Sequence, residues 1–442
     1  MPDYRSLPSV DKLMQEPSLA GFSERVRGIA ARQAVTFARE EAARGETVDS
    51  AKLAGHAAKI AEQLARPSLG PAINMSGVVL HTGLGRARIA DEAAERISLV
   101  ASGHATVEYD RASGKRGDRQ DHVSALLQEL TGAEQAFVVN NCAAAVFLSL
   151  NALCAGKEVI LSRGQMVEIG GSFRLPDIVR ESGCKLVEVG TTNKTRVSDY
   201  SQAITDDTAA VLRCHPSNFK IIGFHEEPSA QDLSALCKEH GLLHIDDVGS
   251  GCLIDTTKYG LPHERTLREA VADGPDVVTA SGDKLLGGTQ AGLVLGTKDA
   301  VGRIARHPLA RTVRVDKLTL AGLEATLSLY AEGREDQIPV WRYLGRPIEE
   351  VKKAAEAIAK AWPHESAVEE GTTEVGGGSM PGATVPTWRA GLRGENPERV
   401  GKRLRAMDVP VVGYIEGGTF WLDPRTAEQV EVESVVALLR GL

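Results

Sequence analysis

Val277-Val278-Thr279-Ala280-Ser281-Gly282-Asp283-Lys284-Leu285-Leu286-Gly287-Gly288 decides the fold. A short apolar, β-branched run reads as a buried strand, and it breaks at a small polar turn that carries a lysine and ends on two glycines. In open α/β sheets ligands gather at the carboxyl ends of strands, so Lys284 stands where a ligand would. A partly buried lysine has a lowered pKa and can attack a carbonyl carbon as a Schiff-base nucleophile. Ser281, three residues earlier, places a hydroxyl where it can contact a phosphate. Taken alone, Lys284 reads more readily as a solvated loop lysine, because most lysines lie at the surface.

Similar runs recur on both sides of this stretch: Ala136-Val139, Glu158-Leu161, Leu186-Val189, Ala209-Arg213, Leu242-Asp246 and Gly292-Gly296. Helical patterns such as Ala143-Leu153 and Ala230-His240 alternate with them, which predicts an α/β fold with a mostly parallel central sheet. Leu242-Leu243-His244-Ile245-Asp246-Asp247-Val248-Gly249 puts two carboxylates at the end of a buried strand, where charge requires a partner. Successive strand residues face opposite ways, so the pair is a poor site for one metal ion, and only one of the two should face a ligand. A pyridinium nitrogen is a fitting partner, since an aspartate beneath it keeps the ring protonated and able to accept electrons. Lysine and aspartate together point to pyridoxal 5'-phosphate. Phe137-Val138-Val139-Asn140-Asn141-Cys142-Ala143-Ala144-Ala145 adds a strand followed by a helix of small residues. The free amides at Asn141, Cys142 and Ala143 would form a phosphate cup, although an ordinary Asn-capped helix has the same appearance.

The 442 residues allow about three domains at roughly 150 residues each. Hydrophobic residues at 42% and charged residues at 25% exclude disordered and fibrous classes. A net charge of -8 excludes a protein whose whole surface binds nucleic acid, so any such contact must be local. Residues 1-68 read as a small helical domain, with helices over Phe22-Ala43 and Val48-Leu64, a stop at Gly45, a cap at Thr47 and a linker bracketed by Pro67 and Pro71. The first 70 residues carry ten basic and nine acidic side chains, so they are less acidic than the remainder and permit an anionic partner. Residues 72-325 form the large α/β domain, and 326-442, with strand-like Val409-Gly413 and Thr419-Leu422, a smaller one. Six cysteines without a C-x-x-C pair argue against a zinc cluster or disulfide framework, and no metal site is expected. No apolar stretch is long enough to cross a membrane, and a cytoplasmic location is expected.

Ordered blocks along almost the whole chain resemble bacterial selenocysteine synthase, the L-seryl-tRNA(Sec) selenium transferases, which are fold-type I pyridoxal phosphate enzymes. They include Leu7-Pro8-Ser9-Val10-Asp11-Lys12-Leu13, Gly77-Val78-Val79-Leu80-His81-Thr82, Leu84-Gly85-Arg86-Ala87 and Gly114-Lys115-Arg116-Gly117. Further blocks are Val167-Glu168-Ile169-Gly170-Gly171-Ser172-Phe173-Arg174, Ser217-Asn218-Phe219, Ser281-Gly282-Asp283-Lys284, Arg311-x-x-Arg314-Val315-Asp316-Lys317 and Gly376-Gly377-Gly378-Ser379. Each is common enough alone; together they are specific. Gly83 stands where the family pattern has Asn, and Gln165 where it has Glu.

The resemblance implies that Lys284 holds the cofactor and Asp247 meets its pyridine nitrogen. It implies that Arg86, Arg311 and Arg314 bind the anionic selenium donor, selenophosphate, or its phosphate, as guanidinium forks do. The implied reaction converts seryl-tRNA(Sec) to selenocysteinyl-tRNA(Sec) by β-elimination and selenium addition, in a large homo-oligomer whose added helical domain grips tRNA. Two other readings keep the same fold: a pyridoxal phosphate lyase acting on a small amino acid or amino sugar acid, and a non-catalytic tRNA-binding relative.

Overall fold

The alternating apolar runs become a seven-stranded sheet in the computed structural model, which describes residues 7-44, 49-65, 67-169 and 173-441. Across the sheet the strands run Gln135–Val139, Gly292–Gly296, Val277–Ser281, Leu243–Gly249, Thr208–Cys214, Glu158–Ser162 and Lys185–Val189. Only Gly292–Gly296 is antiparallel to its neighbours; the other pairings are parallel. Every residue of Val277–Ser281 and Gly292–Gly296 is buried, the pattern of strands covered on both faces. Alternation then sorts their side chains. Val278 and Ala280 join a core with Leu127, Leu323 and Trp341, while Val277 and Val294 join one with Ala145, Leu148 and Ile304. Gly292 has a specific reason to be glycine: a Cβ there would lie 2.1 Å from the Asn141 carbonyl oxygen, so only a bare backbone lets the two strand ends close together.

The chain divides into two compact units, Met1–Ala72 and Ile73–Leu442. In the first, the helices are Val10–Met14, Glu24–Ala43 and Ser50–Ala65. Ser9 and Ser23 cap the first two through bonds from Lys12 N and Val26 N. Ala30, Ala31, Ala34, Ala38, Ala57 and Ala61 pack with Leu13, Leu19 and Leu53, small side chains that let helices approach closely. Gly45 and Thr47, read from sequence as stop and cap, lie outside the described residues.

Within the second unit, a four-stranded antiparallel sheet joins Ser366–Glu374, Thr384–Leu392, Thr419–Leu422 and Tyr414–Glu416. Helices Ile348–Ala361 and Gln429–Arg440 supply Ile358 and Val435 to its core with Phe420 and Leu422. Two sequence boundaries move. The division at 325/326 falls inside the helix Lys317–Ala331, whose buried Leu320, Leu323 and Leu327 commit it to the large sheet. The run Val409-Gly413 shortens to Val411–Val412, which pairs in parallel with Ile73–Asn74 rather than with the four-stranded sheet. Among the described residues no helix is long and apolar enough to cross a membrane.

One buried titratable group sets an acid limit on this fold. His244, fully buried in Leu243–Gly249, shares a 2.8 Å hydrogen bond between Nδ1 and Ser234 Oγ, and burial pushes its pKa down to about 4. The native state therefore keeps the ring neutral while the unfolded chain takes up a proton below 6.5. Stability should fall by up to roughly 3 kcal/mol as pH drops from 6.5 to about 4. Urea unfolding across that window should show a shallower decline for His244→Gln; an identical slope would refute the assignment.

Candidate active site

The two aspartates of Leu243–Gly249 turn to opposite faces, and the structure gives them opposite surroundings. Asp246 is fully buried against Arg213 Nη1 at 3.2 Å and Arg265 Nη1 at 2.6 Å. Burial opposes its charge, but the two guanidinium groups overcome that cost and hold the carboxyl below its ordinary range. Asp247 faces a cavity instead. Its Oδ1 accepts from Thr279 Oγ1 at 2.7 Å and from Cys142 Sγ at 3.4 Å, and Oδ2 accepts from Cys214 Sγ at 3.6 Å. These donors are neutral. Burial pushes the Asp247 carboxyl up despite the Thr279 hydrogen bond and the positive Lys284 nearby. A half-buried carboxylate at a cavity wall, without a bonded cation of its own, is set for a cationic ligand.

Lys284 reaches the same cavity from the turn after Val277–Ser281. The turn is tightly wound: Gly287 N donates to the Lys284 carbonyl, and Gly288 N to that of Gly282, both at 2.9 Å. Gly287 has φ +73°, and a Cβ there would strike Ile338 Cγ2 at 2.3 Å, so glycine alone meets both the dihedral and the space. Lys284 is 6% exposed, and its Nζ donates to the Gly378 carbonyl at 3.2 Å.

The cavity holds about 280 Å³, and Arg86, Asn141, Cys142, Ala143, Asp247, Ser281 and Lys284 all line it. Asn141 caps the helix Cys142–Cys154 by accepting from Ala144 N at 2.8 Å, and the first intrahelical bond runs from Ala145 N to the Asn141 carbonyl. The amides of Cys142 and Ala143 therefore precede the helical ladder, as anion-binding amides do. Arg86, at the unusual φ of +65°, places Nη1 3.0 Å from Asp283 Oδ2. Arg311 and Arg314 do not line this cavity. Arg311 is exposed at the end of the turn Pro308–Arg311, and Arg314 lies 3.7 Å from Glu108 Oε1 while its backbone bridges to Val139.

Sequence reasoning gave no role to Asp283, Cys214, His215, Ser217 and Gln290, which also line the cavity. Asp283 was discoverable as the neighbour of Lys284; the others come from strand ends whose convergence no local pattern encodes. Gln165, where the family pattern has Glu, is buried, accepts from Cys214 N at 3.0 Å and donates to Glu227 Oε2 at 3.3 Å. The amide thus serves as both acceptor and donor, a combination an ionised carboxylate lacks.

Residues 72-428 match the family described as L-seryl-tRNA selenium transferase. The chain belongs to that family. It is 43% identical over 454 residues to an L-seryl-tRNA(Sec) selenium transferase of Carboxydothermus hydrogenoformans, covering 98% of this chain and 97% of the relative. A protein of the same name from Geobacter sulfurreducens is 42% identical, with 99% of each chain covered. Among solved structures, D-glucosaminate-6-phosphate ammonia-lyase shares the fold with a TM-score of 0.60 and 23% identity, over 86% of this chain and 97% of that one. The fold-type I architecture expected for an L-seryl-tRNA selenium transferase is the fold of this chain.

The lining residues fit pyridoxal phosphate: an amine for its aldehyde, a half-buried carboxylate lacking a bonded cation for its ring nitrogen, and free amides with the Ser281 hydroxyl for its phosphate. In the apoprotein the raised pKa of Asp247 means that stability is lost as pH rises through the carboxylate range, because ionisation is costlier in the fold than in the unfolded chain. Asp247→Asn should therefore stabilise the apoprotein near neutral pH while weakening cofactor binding. Urea unfolding and a cofactor titration of the same preparation check both; unchanged cofactor affinity would remove Asp247 from this role.

Proposed function

We propose that this chain converts seryl-tRNA(Sec) to selenocysteinyl-tRNA(Sec), using pyridoxal phosphate carried by Lys284 and selenium from selenophosphate. The observation that carries the reading is one cavity holding Lys284 and a half-buried Asp247 lacking a bonded cation, in a chain of the L-seryl-tRNA selenium transferase family. When bound, the cofactor withdraws electrons from the seryl α-carbon, so that the α-proton and then the β-hydroxyl can leave.

The residues divide the work. Lys284 Nζ, which reaches the cavity, would be the base that takes the α-proton. Asp247 would hold the ring nitrogen in its charged form, with Thr279, Cys142 and Cys214 fixing the carboxylate. The amides of Cys142 and Ala143 would hold the phosphate, with Ser281 supplying a hydroxyl. Arg86, oriented by Asp283, supplies positive charge at the cavity wall for the donor anion. Arg311 and Arg314 complete donor capture from outside the wall of the single chain, in a homo-oligomer where a donor held between copies meets them. The first unit, with its near balance of charge, grips tRNA, and the reaction runs in the cytoplasm; six free cysteines accord with a reducing compartment.

The direct test incubates the purified protein with seryl-tRNA(Sec) and selenophosphate and analyses the aminoacyl product. Selenocysteine is expected, and borohydride reduction followed by peptide mapping should place a pyridoxyl label on Lys284; Lys284→Ala should fold, lose the label and lose turnover. A label elsewhere or unchanged turnover would overturn the mechanism. Deleting residues 1-68 should leave that label in place but weaken tRNA binding at least tenfold, and binding by the full chain should fall with added salt. Equal affinity in the truncated protein would make the first unit structural only.

A further inference from the structure

A second cavity, of about 320 Å³, adjoins the first. His215 lines both. Its amide donates to the Asp247 carbonyl at 2.9 Å, which seats it at the carboxyl end of the sheet, and its Nε2 lies 3.9 Å from Glu264 Oε1 on the far side. The imidazole is thus a partition between the Lys284 cavity and the space beyond. Two loops run from one space to the other. One carries Ser217, which lines the first cavity, then Phe219 and Lys220, which line the second. The other carries Gly378, whose carbonyl accepts from Lys284, then Met380 in the second cavity. The loops meet at the junction: a Cβ on Gly378 would lie 3.7 Å from the Ser217 carbonyl and 3.8 Å from Lys284 Nζ.

At that junction two hydroxyls are buried and idle. Ser217 and Ser379 are 5% and 2% exposed, and neither Oγ has a hydrogen-bond partner among the described residues. Unsatisfied buried hydroxyls are costly, and here they lie along the path between the two cavities.

We propose that the second cavity receives the 3′-terminal nucleotide of the aminoacylated tRNA, with Phe219 against its base, Lys220 toward its phosphate, and Ser217 and Ser379 facing the ribose and ester. The inference rests on the functional reading above. In a seryl-tRNA the seryl carbonyl carbon is esterified to a ribose oxygen, so a seryl group at Lys284 puts the ribose within a few bonds and the base just beyond it. The neighbouring walls suit those parts. Phe219, Met380 and the prolines offer apolar surface for a ring, Lys220 offers positive charge, and Glu227 and Glu264 are acceptors for ribose hydroxyls or an exocyclic amine. Past Phe219 the same loop carries Ile222 and Phe224, 88% and 87% exposed, with the Phe224 carbonyl held by Asn193 Nδ2 at 2.5 Å. Exposed aromatic surface is what unpaired bases stack on, and in this proposal Phe224 extends the contact outward.

The test uses the full-length, cofactor-loaded protein and tRNA(Sec) whose 3′-terminal adenosine bears a photoactivatable azide. Crosslinks should map to the segments 215-227 or 380-383; crosslinks mapping only elsewhere, or none, overturn the assignment. Independently, Phe219→Ala should raise KM for seryl-tRNA about tenfold, with a much smaller change in kcat and the pyridoxyl label on Lys284 retained. An unchanged KM also overturns it. The two readings fail separately: crosslinking at these segments without selenocysteine formation would defeat the functional reading, whereas selenocysteine formation with crosslinks elsewhere would defeat this cavity assignment.

Discussion

The site depends on a separation of charge that the strand geometry enforces. Asp246 and Asp247 are adjacent in sequence and therefore face opposite sides of the sheet. Asp246 spends its charge on structure: Arg213 comes from the neighbouring strand, and Arg265 also holds Asp273, so one carboxylate fastens three segments. Asp247 is thereby fixed in height and direction without being neutralised. A carboxylate tied to its own arginine would be of little use to a ring nitrogen, and one on a mobile loop could not be kept dry. Placing the two side by side on a central strand solves both requirements.

The same logic governs the positive side of the cavity. Lys284 and Arg86 both line it, yet the chain as a whole is acidic. Asp283, next to Lys284 in sequence, bonds to Arg86 and not to the lysine, and its carbonyl also accepts from Ala87 N at 3.1 Å. One residue thus joins the lysine turn to the distant Arg86 segment. The amine meets a backbone carbonyl, at Gly378, whose partial charge is weaker than a carboxylate's. Lys284 keeps a contact it can give up when it must act on a substrate, while Arg86 keeps a full ion pair that fixes its direction.

The large sheet was legible because its central strands are largely buried and read as apolar runs, and Lys284 and Asp247 were legible because each follows such a run. What escaped was non-local. Nothing in the Ser217 block says that it meets the Gly376-Gly378 loop, and nothing at Arg314 says that its guanidinium leans on Glu108. The boundary at 325/326 falls inside Lys317–Ala331 because a helical pattern does not say which sheet its buried face joins, and this face belongs to the earlier sheet. Val411–Val412 is a two-residue strand whose partner lies more than three hundred residues away, a pairing set by tertiary contact and not by propensity. The resemblance to the transferases supplied the arginines; the local chemistry of Arg311 and Arg314 alone would have left them as surface residues.

The two thiols beside Asp247 follow from the same arrangement. In the proposed reaction the seryl β-carbon becomes unsaturated and electrophilic, and it must wait for selenium. A thiolate in the cavity would compete, since it is the ionised form of cysteine that attacks. Cys142 and Cys214 both line the cavity, but burial, and after it the negative charge of Asp247, push each thiol well above its ordinary pKa. Their protons are turned to the carboxylate they steady. In the proposed reaction, the carboxylate assigned to the ring nitrogen therefore also keeps its sulfur neighbours protonated, so that positioning the ring and reserving the β-carbon for an incoming donor would be two effects of one residue.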